Sequence, residues 1–358
     1  MGNNILILTG RFGNGHISAA DAIKEDLIKS YDGNIDIEII DIVDYAFPLI
    51  AKGIYKNFNS LVSKKPNLYN ALNKLAEESN TSFLSVVALR RIKRLVKQKR
   101  PMAIISVLPL SSQMVSYYKG KYGDDIPLYT YITDVCSHKE WVAENTDRYY
   151  VADKSVLEEL VDKGVGRENI YVTGIPVRSK FKTMDNTRDE GNIKKLLILG
   201  GGLGLIPNCE ELLRELNEKD NMKVTVVTGN NSELRDKLNA DYNNINVIGF
   251  TDEIERIMAD SDLILTKAGG ITLFESIYML KPIIVVNPFL SQEIKNARFI
   301  KNKNIGEIII KGDIKPMELG KEIDLLINND NRLEEIRSNM EAVRSELENF
   351  YIEGLKVC

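Results

Sequence analysis

The chain holds 358 residues with a formal net charge of −4 and three cysteines, long for one core and comfortable for two domains. Cys136, Cys209 and Cys358 form an odd, sparse set without metal-ligand spacing, which excludes a disulfide framework and reads as reduced thiols of a cytosolic protein. No signal peptide opens the sequence and no apolar run approaches the roughly 20 residues that span a bilayer, so a protein in solution or on a membrane surface is expected.

In chain order, strand-like runs at residues 5–8, 35–40, 103–107, 128–133, 148–151 and 170–173 alternate with helical stretches. That alternation predicts a mostly parallel sheet with helices on both faces. A helical insert of different character interrupts it between about residues 44 and 89. Tyr45, Phe47, Ile50, Ile54, Tyr55, Phe58, Leu61, Tyr69, Leu72, Phe83 and Val87 make it rich in large apolar groups, and core packing is its simplest reading. Next, Arg90, Arg91, Lys93, Arg94 and Lys97 interleave with Leu89, Ile92, Leu95 and Val96 at helical spacing, a basic amphipathic helix. It is either the solvated face of an α/β helix or a surface for anionic lipid headgroups. Nucleic acid is not expected, because residues 1–185 carry 25 basic against 22 acidic side chains and no recognised nucleic-acid motif.

A polar, charge-rich stretch near residues 182–191 reads as a linker. Strands are then predicted at 195–199, 223–227, 245–248, 263–266, 283–286 and 306–310, and from about residue 331 the chain turns helical and polar. The expected organisation is a first domain at 1–181 carrying the insert, a second at 192–330, and a helical segment at 331–358.

Chemistry concentrates in the second half at Thr266-Lys267-Ala268-Gly269-Gly270-Ile271-Thr272-Leu273-Phe274-Glu275, where a strand runs into a double glycine and a helix beginning near Thr272. Unpaired amides at a helix start carry partial positive charge and receive anions, and glycines let the backbone approach them. Thr272-x-x-Glu275 is equally a capping box that needs no ligand. Gln292, Glu293 and Asn296 follow about twenty residues later with the hydrogen-bonding ends that sugar hydroxyls require, so phosphate beside sugar suggests a nucleotide-sugar. Leu199-Gly200-Gly201-Gly202-Leu203-Gly204 has a poor register for a dinucleotide fingerprint, and Val227-Thr228-Gly229-Asn230 lacks the acid for an adenine ribose. That glycine loop suits either diphosphate wrapping or close approach of backbones. Asp260-Ser261-Asp262 precedes a strand and reads as structural rather than as a metal site.

Thr266 to Glu275 with Gln292, Glu293 and Asn296 resembles the donor-binding region of the diacylglycerol glycosyltransferases. Three further segments resemble the same family in the same order: Gly10-Arg11-Phe12-Gly13-Asn14-Gly15-His16, Thr133 to Trp141 continuing to Tyr149-Tyr150-Val151-Ala152, and Thr173-Gly174-Ile175-Pro176-Val177-Arg178. The resemblance spans about residues 5 to 300. It implies the GT-B fold, an α/β arrangement of two Rossmann-like domains facing across a cleft, and inverting transfer of a hexose from a UDP-sugar to the 3-hydroxyl of diacylglycerol. Ser291, where a glycine is expected, and Phe274, at a position often smaller or polar, depart from the pattern.

On that resemblance Gly15, Gly201, Gly202, Gly269, Gly270 and Thr272 belong to the donor phosphates, Phe250 to the uracil, Glu275 to the ribose, and Gln292, Glu293 and Asn296 to the sugar. The insert contributes to the lipid side, Arg90 to Lys97 meet an anionic membrane at the inner face of the cell membrane, and no cofactor or catalytic metal is expected. His16 and His138 are the chain's two histidines, and both fall inside these motifs. Imidazole takes a proton near neutral pH. His16 is the expected base; His138, with Asp134, is a second base, an acceptor-orienting group or a loop anchor. A polyprenyl-linked acceptor, a non-catalytic UDP-sugar sensor and a UDP-sugar epimerase are the competing readings.

Overall fold

The computed structural model of the chain describes residues 4–64, 82–184, 193–201, 209–310 and 316–347. It divides into two compact units, with the break between Ser179 and Lys180. In the first unit come β1 (Asn4–Thr9), α1 (Gly15–Ser30), β2 (Asp36–Asp41), α2 (Ile42–Ala46), α3 (Ala51–Lys64), α4 (Ser82–Lys99) and β3 (Ala103–Ser106). After them follow α5 (Pro109–Tyr122), β4 (Leu128–Tyr131), β5 (Arg148–Val151), α6 (Lys154–Asp162) and β6 (Ile170–Val172). The strands pair in parallel in the order β2-β1-β3-β4-β5-β6. Ile5 to Leu8 are fully buried, because a parallel sheet covered on both faces needs an unbroken apolar run rather than alternation.

The insert splits into two behaviours. Tyr45, Phe47 and Ile54 pack partly buried against the core cluster that includes Ala51 and Tyr55, so core packing accounts for them. The turn between α2 and α3 does the opposite: Leu49 is 97% and Ile50 54% exposed. Tyr69 and Leu72, and the side chains of Leu61, Phe83 and Val87, lie outside the described residues. On α4, Leu89, Ile92 and Leu95 are buried in that same cluster, while Arg90, Arg94 and Lys97 are exposed and Lys93 Nζ lies 3.9 Å over the Tyr122 ring. Leu89, Ile92 and Leu95 of this helix are therefore core, and Arg90, Arg94 and Lys97 face outward.

The second unit holds β7 (Lys194–Leu199), α7 (Cys209–Asn217), β8 (Met222–Val227), α8 (Ser232–Asp241), β9 (Ile245–Ile248), α9 (Ile254–Ala259) and β10 (Leu263–Thr266). It continues through α10 (Gly270–Tyr278), β11 (Ile283–Val286), α11 (Ser291–Lys303), β12 (Gly306–Ile309), α12 (Pro316–Ile327) and α13 (Asp330–Ser345). Its sheet is parallel in the order β12-β11-β10-β7-β8-β9. Each sheet has one place where successive strands are laid down in opposite directions, between β1 and β3 and between β7 and β10. There the following helices diverge and open a crevice beyond the carboxyl ends, where ligands of such sheets bind. Among the described residues, no helix is long and apolar enough to cross a membrane.

Gly306 shows how tightly the second sheet is closed. A Cβ there would lie 2.6 Å from Ile283 Cγ1 and closer still to the Ile283 carbonyl oxygen. Gly306→Ala is expected to destabilise the second unit by about 1–3 kcal/mol through overpacking, read as a lowered urea midpoint; an unmoved midpoint would show that β12 shifts freely.

Candidate functional site

The first crevice lies at the ends of β1, β3 and β4. The turn after β1 carries Gly13 at φ 85, a left-handed conformation that costs a residue with a Cβ, and then α1 begins with His16 as its second residue. His16 Nδ1 lies 2.8 Å from the Val107 carbonyl oxygen and 3.2 Å from Thr133 Oγ1. A carbonyl can only accept, so Nδ1 carries the proton and Nε2 keeps its lone pair. Burial pulls the imidazole pKa below its ordinary value of 6.5, outweighing the Asp134 charge and the Val107 carbonyl, which raise it. The ring is thus neutral at neutral pH, with a nitrogen ready to take a proton.

Its supports are built from buried hydroxyls. Ser106 Oγ donates to the Leu108 carbonyl at 2.9 Å and contacts Ser111 Oγ at 2.6 Å, while Ser112 Oγ meets Ser106 Oγ at 2.8 Å and Thr130 Oγ1 at 3.0 Å. This network fixes the turn from β3 into α5 that presents the Val107 carbonyl. At the far end of α1, Glu25 accepts the Ser179 amide at 2.6 Å, and Arg178 acts electrostatically on Asp21 of the same helix.

The Thr133–Trp141 block brings Asp134 into the field of His16 and holds His138 separately, with Nε2 3.6 Å from Cys136 Sγ. Ser137 donates through its amide and hydroxyl to Glu159 at 2.8 and 2.9 Å. Gln113 Nε2 donates to the Glu140 and Val142 carbonyls at 2.9 and 2.8 Å, pinning the single turn Lys139–Trp141. Sequence reasoning missed the joint role of Arg11, Asp41 and Tyr55, which lock the loop before His16; the Asp41-x-x-Asp44 pattern signals only the cap of the following helix.

The second crevice lies at the ends of β7, β10 and β11. Gly201 adopts φ 66 and is exposed after β7, and Gly202 lies outside the described residues. α10 starts at Gly270 with Gly269 as N-cap and, among the described residues, no side-chain cap. Thr272 therefore stands in the first turn and Glu275 in the second, which overturns the capping-box alternative and moves the helix start two residues earlier than the sequence suggested. Amides at the start of α10 point out of a helix end without a side-chain cap among the described residues, a setting that suits an anion. A Cβ on Gly269 meets nothing within 4 Å among the described residues, so this glycine is not required by the protein's own packing. Glu275 is buried, Thr272 and Gln292 are half-buried, and Phe250 is 60% exposed after β9, so it is not a core residue.

Asn296 is fully buried and its Nδ2 donates to the Ala268 carbonyl at 2.8 Å, tying α11 to the double-glycine loop. Glu293 accepts the Phe289 and Leu290 amides, both at 3.3 Å, and pairs with Lys267 at 3.1 Å. Lys267, which the sequence did not single out, therefore joins the loop to α11. Phe274 stacks on Phe299 of α11 with centroids 6.3 Å apart, the packing reason for a large ring at that position. Asp260 and Asp262 sit at the opposite, amino end of β10, where they engage Lys195 Nζ at 2.5 Å and the Lys195 amide at 2.8 Å. Among the described residues, no group of three His, Cys, Asp or Glu side chains could hold a metal ion.

Two Rossmann-like units, one with a neutral imidazole at its switch point and the other with an open helix start at its own, define a glycosyltransferase of the GT-B class. Acinetobacter baumannii MurG shares the fold, with a TM-score of 0.63 at 17% identity over 96% of this chain and 95% of that one. Medicago truncatula UGT71G1, solved with UDP-glucose, gives 0.61 at 12% over 99% and 95%. The monogalactosyldiacylglycerol (MGDG) synthase family matches residues 16–177, and the glycosyltransferase family 28 C-terminal domain matches residues 196–349. A processive diacylglycerol beta-glucosyltransferase of Bacillus cereus is 30% identical over 95% of this chain and 89% of its own length. The chain belongs to the diacylglycerol glycosyltransferase family.

Gly269→Ala separates a binding glycine from a packing one. Stability should stay within about 0.5 kcal/mol of the parent, while UDP affinity measured by calorimetry should fall; unchanged affinity would remove the α10 start from the donor site.

Proposed function

We propose that the protein moves glucose from UDP-glucose to the 3-hydroxyl of diacylglycerol with inversion, giving a β-glycolipid. The observation that carries this reading is His16, neutral and with Nε2 free of its anchoring bond. The acceptor hydroxyl gives its proton to Nε2 as its oxygen attacks the anomeric carbon, and the bond from that carbon to the UDP oxygen breaks. The start of α10 at Gly270, with Thr272, stabilises the departing diphosphate, a preorganised electrostatic effect, and no metal is needed for that step. The Gly269 amide is taken by the Lys267 carbonyl at 2.8 Å, and Gly269 serves by letting the backbone come close. Glu275 holds the ribose, Phe250 lies by the uracil, and Gln292 reads the sugar. Glu293 and Asn296 act at the same place by fixing the loop. Asp134 favours the imidazolium that forms.

Family membership and the named activity of the relatives support the diacylglycerol acceptor. The insert is the lipid-side element, and its exposed Leu49 and Ile50 suit contact with acyl chains. Arg90, Arg94 and Lys97 suit anionic headgroups at the inner face of the cell membrane.

Purified protein with diacylglycerol micelles and radiolabelled UDP-glucose should yield a labelled lipid, with UDP-galactose and UDP-N-acetylglucosamine as parallel donors. His16→Ala should lower kcat by about 10²–10⁴-fold and leave UDP binding intact; turnover near the parent's would remove His16 from the base role. Because the base works neutral, kcat/KM should rise with pH through a midpoint below 6.5; an acid limb centred above that value would contradict a His16 base whose pKa is lowered. Reversing Arg90, Arg94 and Lys97 to glutamate should weaken binding to phosphatidylglycerol vesicles at low salt and change little at 1 M salt, where exposed charges are screened. Equal vesicle binding by parent and variant would remove α4 from the membrane contact.

A further inference from the structure

The loop that delivers His16 rests on the insert, and a single hydroxyl makes the hydrogen bond to its backbone. Tyr55 Oη, on α3, accepts the Arg11 amide at 3.1 Å and donates its proton to Asp41, with Oδ1 at 2.7 Å and Oδ2 at 2.8 Å. Asp41 in turn caps α2 through the Val43 and Asp44 amides, both at 3.0 Å, and accepts Arg11 Nε at 3.0 Å. Arg11 also pairs with Asp44, and its guanidinium lies 4.9 Å over the Tyr55 ring. The next residue, Phe12, packs on the Tyr55 ring with centroids 5.1 Å apart and edge-on to Phe58 at 5.0 Å. Two consecutive loop residues, by backbone and side chain alike, thus rest on one tyrosine.

The clamp's side-chain bonds lie outside the backbone ladder of the sheet, although Asp41 closes β2 opposite Thr9. β1 ends at Thr9 and its register with β2 and β3 is set by backbone pairing. What the clamp fixes is the path of residues 10–14 into α1, and so where Nε2 of His16 stands once Nδ1 is bound to Val107. Burial and the neighbouring Asp41 raise the Tyr55 pKa, so the hydroxyl remains a proton donor throughout the working range.

We infer that Tyr55 is a positioning residue for transfer, through which the lipid-side insert sets the place of the His16 base. The coupling rests on the proposed transferase reading, since it assigns the insert to the lipid. Displacing a general base by about 1 Å costs up to about 10²-fold in rate. Occupation of the insert by the acceptor and alignment of the base then become one event.

Tyr55→Phe keeps the ring under Arg11 and Phe12 and removes only the hydroxyl. Tyr118→Phe is its matched control, losing another tyrosine–carboxylate bond, to Asp124, on α5. Both variants are assayed with diacylglycerol micelles, and the ring nitrogens of His16 are followed by NMR in ¹⁵N-histidine protein, assigned by their loss in His16→Ala. For Tyr55→Phe, kcat should fall about 10- to 100-fold, with the KM for UDP-glucose within about twofold of the parent, and the His16 titration should move. Tyr118→Phe should leave both readouts in place. A His16 titration that stays put in Tyr55→Phe, a kcat unchanged beside a moved titration, or an equal loss in Tyr118→Phe, overturns the inference. If the parent labels no lipid, the transferase reading fails, and the NMR titration alone still decides whether Tyr55 positions His16.

Discussion

The hydrogen bond from His16 Nδ1 to the Val107 carbonyl is the constraint on which the first unit's chemistry depends. It spans the point where β1 and β3 part, so a feature of topology becomes a choice of tautomer. A backbone carbonyl in that place leaves one state available to the ring nitrogen facing it. The buried serines behind Val107 hold that carbonyl still, in surroundings where an unmatched hydroxyl would be costly. Burial then keeps the ring neutral, and Asp134 limits the cost of charging it.

The second unit reaches its ends by other means. There the groups suited to meet a diphosphate are backbone amides, and the conspicuous side chains around them mostly hold backbone in place. Asn296 fastens the Ala268 carbonyl, while Glu293 closes the start of α11 and neutralises Lys267. A carboxylate so engaged acts on a ligand chiefly through the loop it fixes. In the proposed transfer, Gln292, half-buried on the same turn, is the side chain there suited to read hydroxyls.

Most of the fold was legible because both sheets are parallel and buried, so their strands stand out as apolar runs between helices. All twelve described strands fall within a few residues of the runs read from sequence. The glycine loops and both histidines were legible from their motifs. Three things were not. The start of α10 was misplaced because Thr272 and Glu275 imitate a capping box. The clamp of Arg11, Asp41 and Tyr55 joins residues up to 44 positions apart, and no local pattern encodes that meeting. On α4 the charges were plain, yet only the packing shows that Leu89, Ile92 and Leu95 are already covered.

Trp141 is the chain's one tryptophan and is almost wholly buried, seated in the short turn that Gln113 pins beside His138. Its indole makes the Thr133–Trp141 block the sole source of tryptophan emission, so tryptophan fluorescence from this protein is a local signal without any added label. Colour and quenching of that emission report the loop carrying Asp134 and His138, and leave the second unit silent.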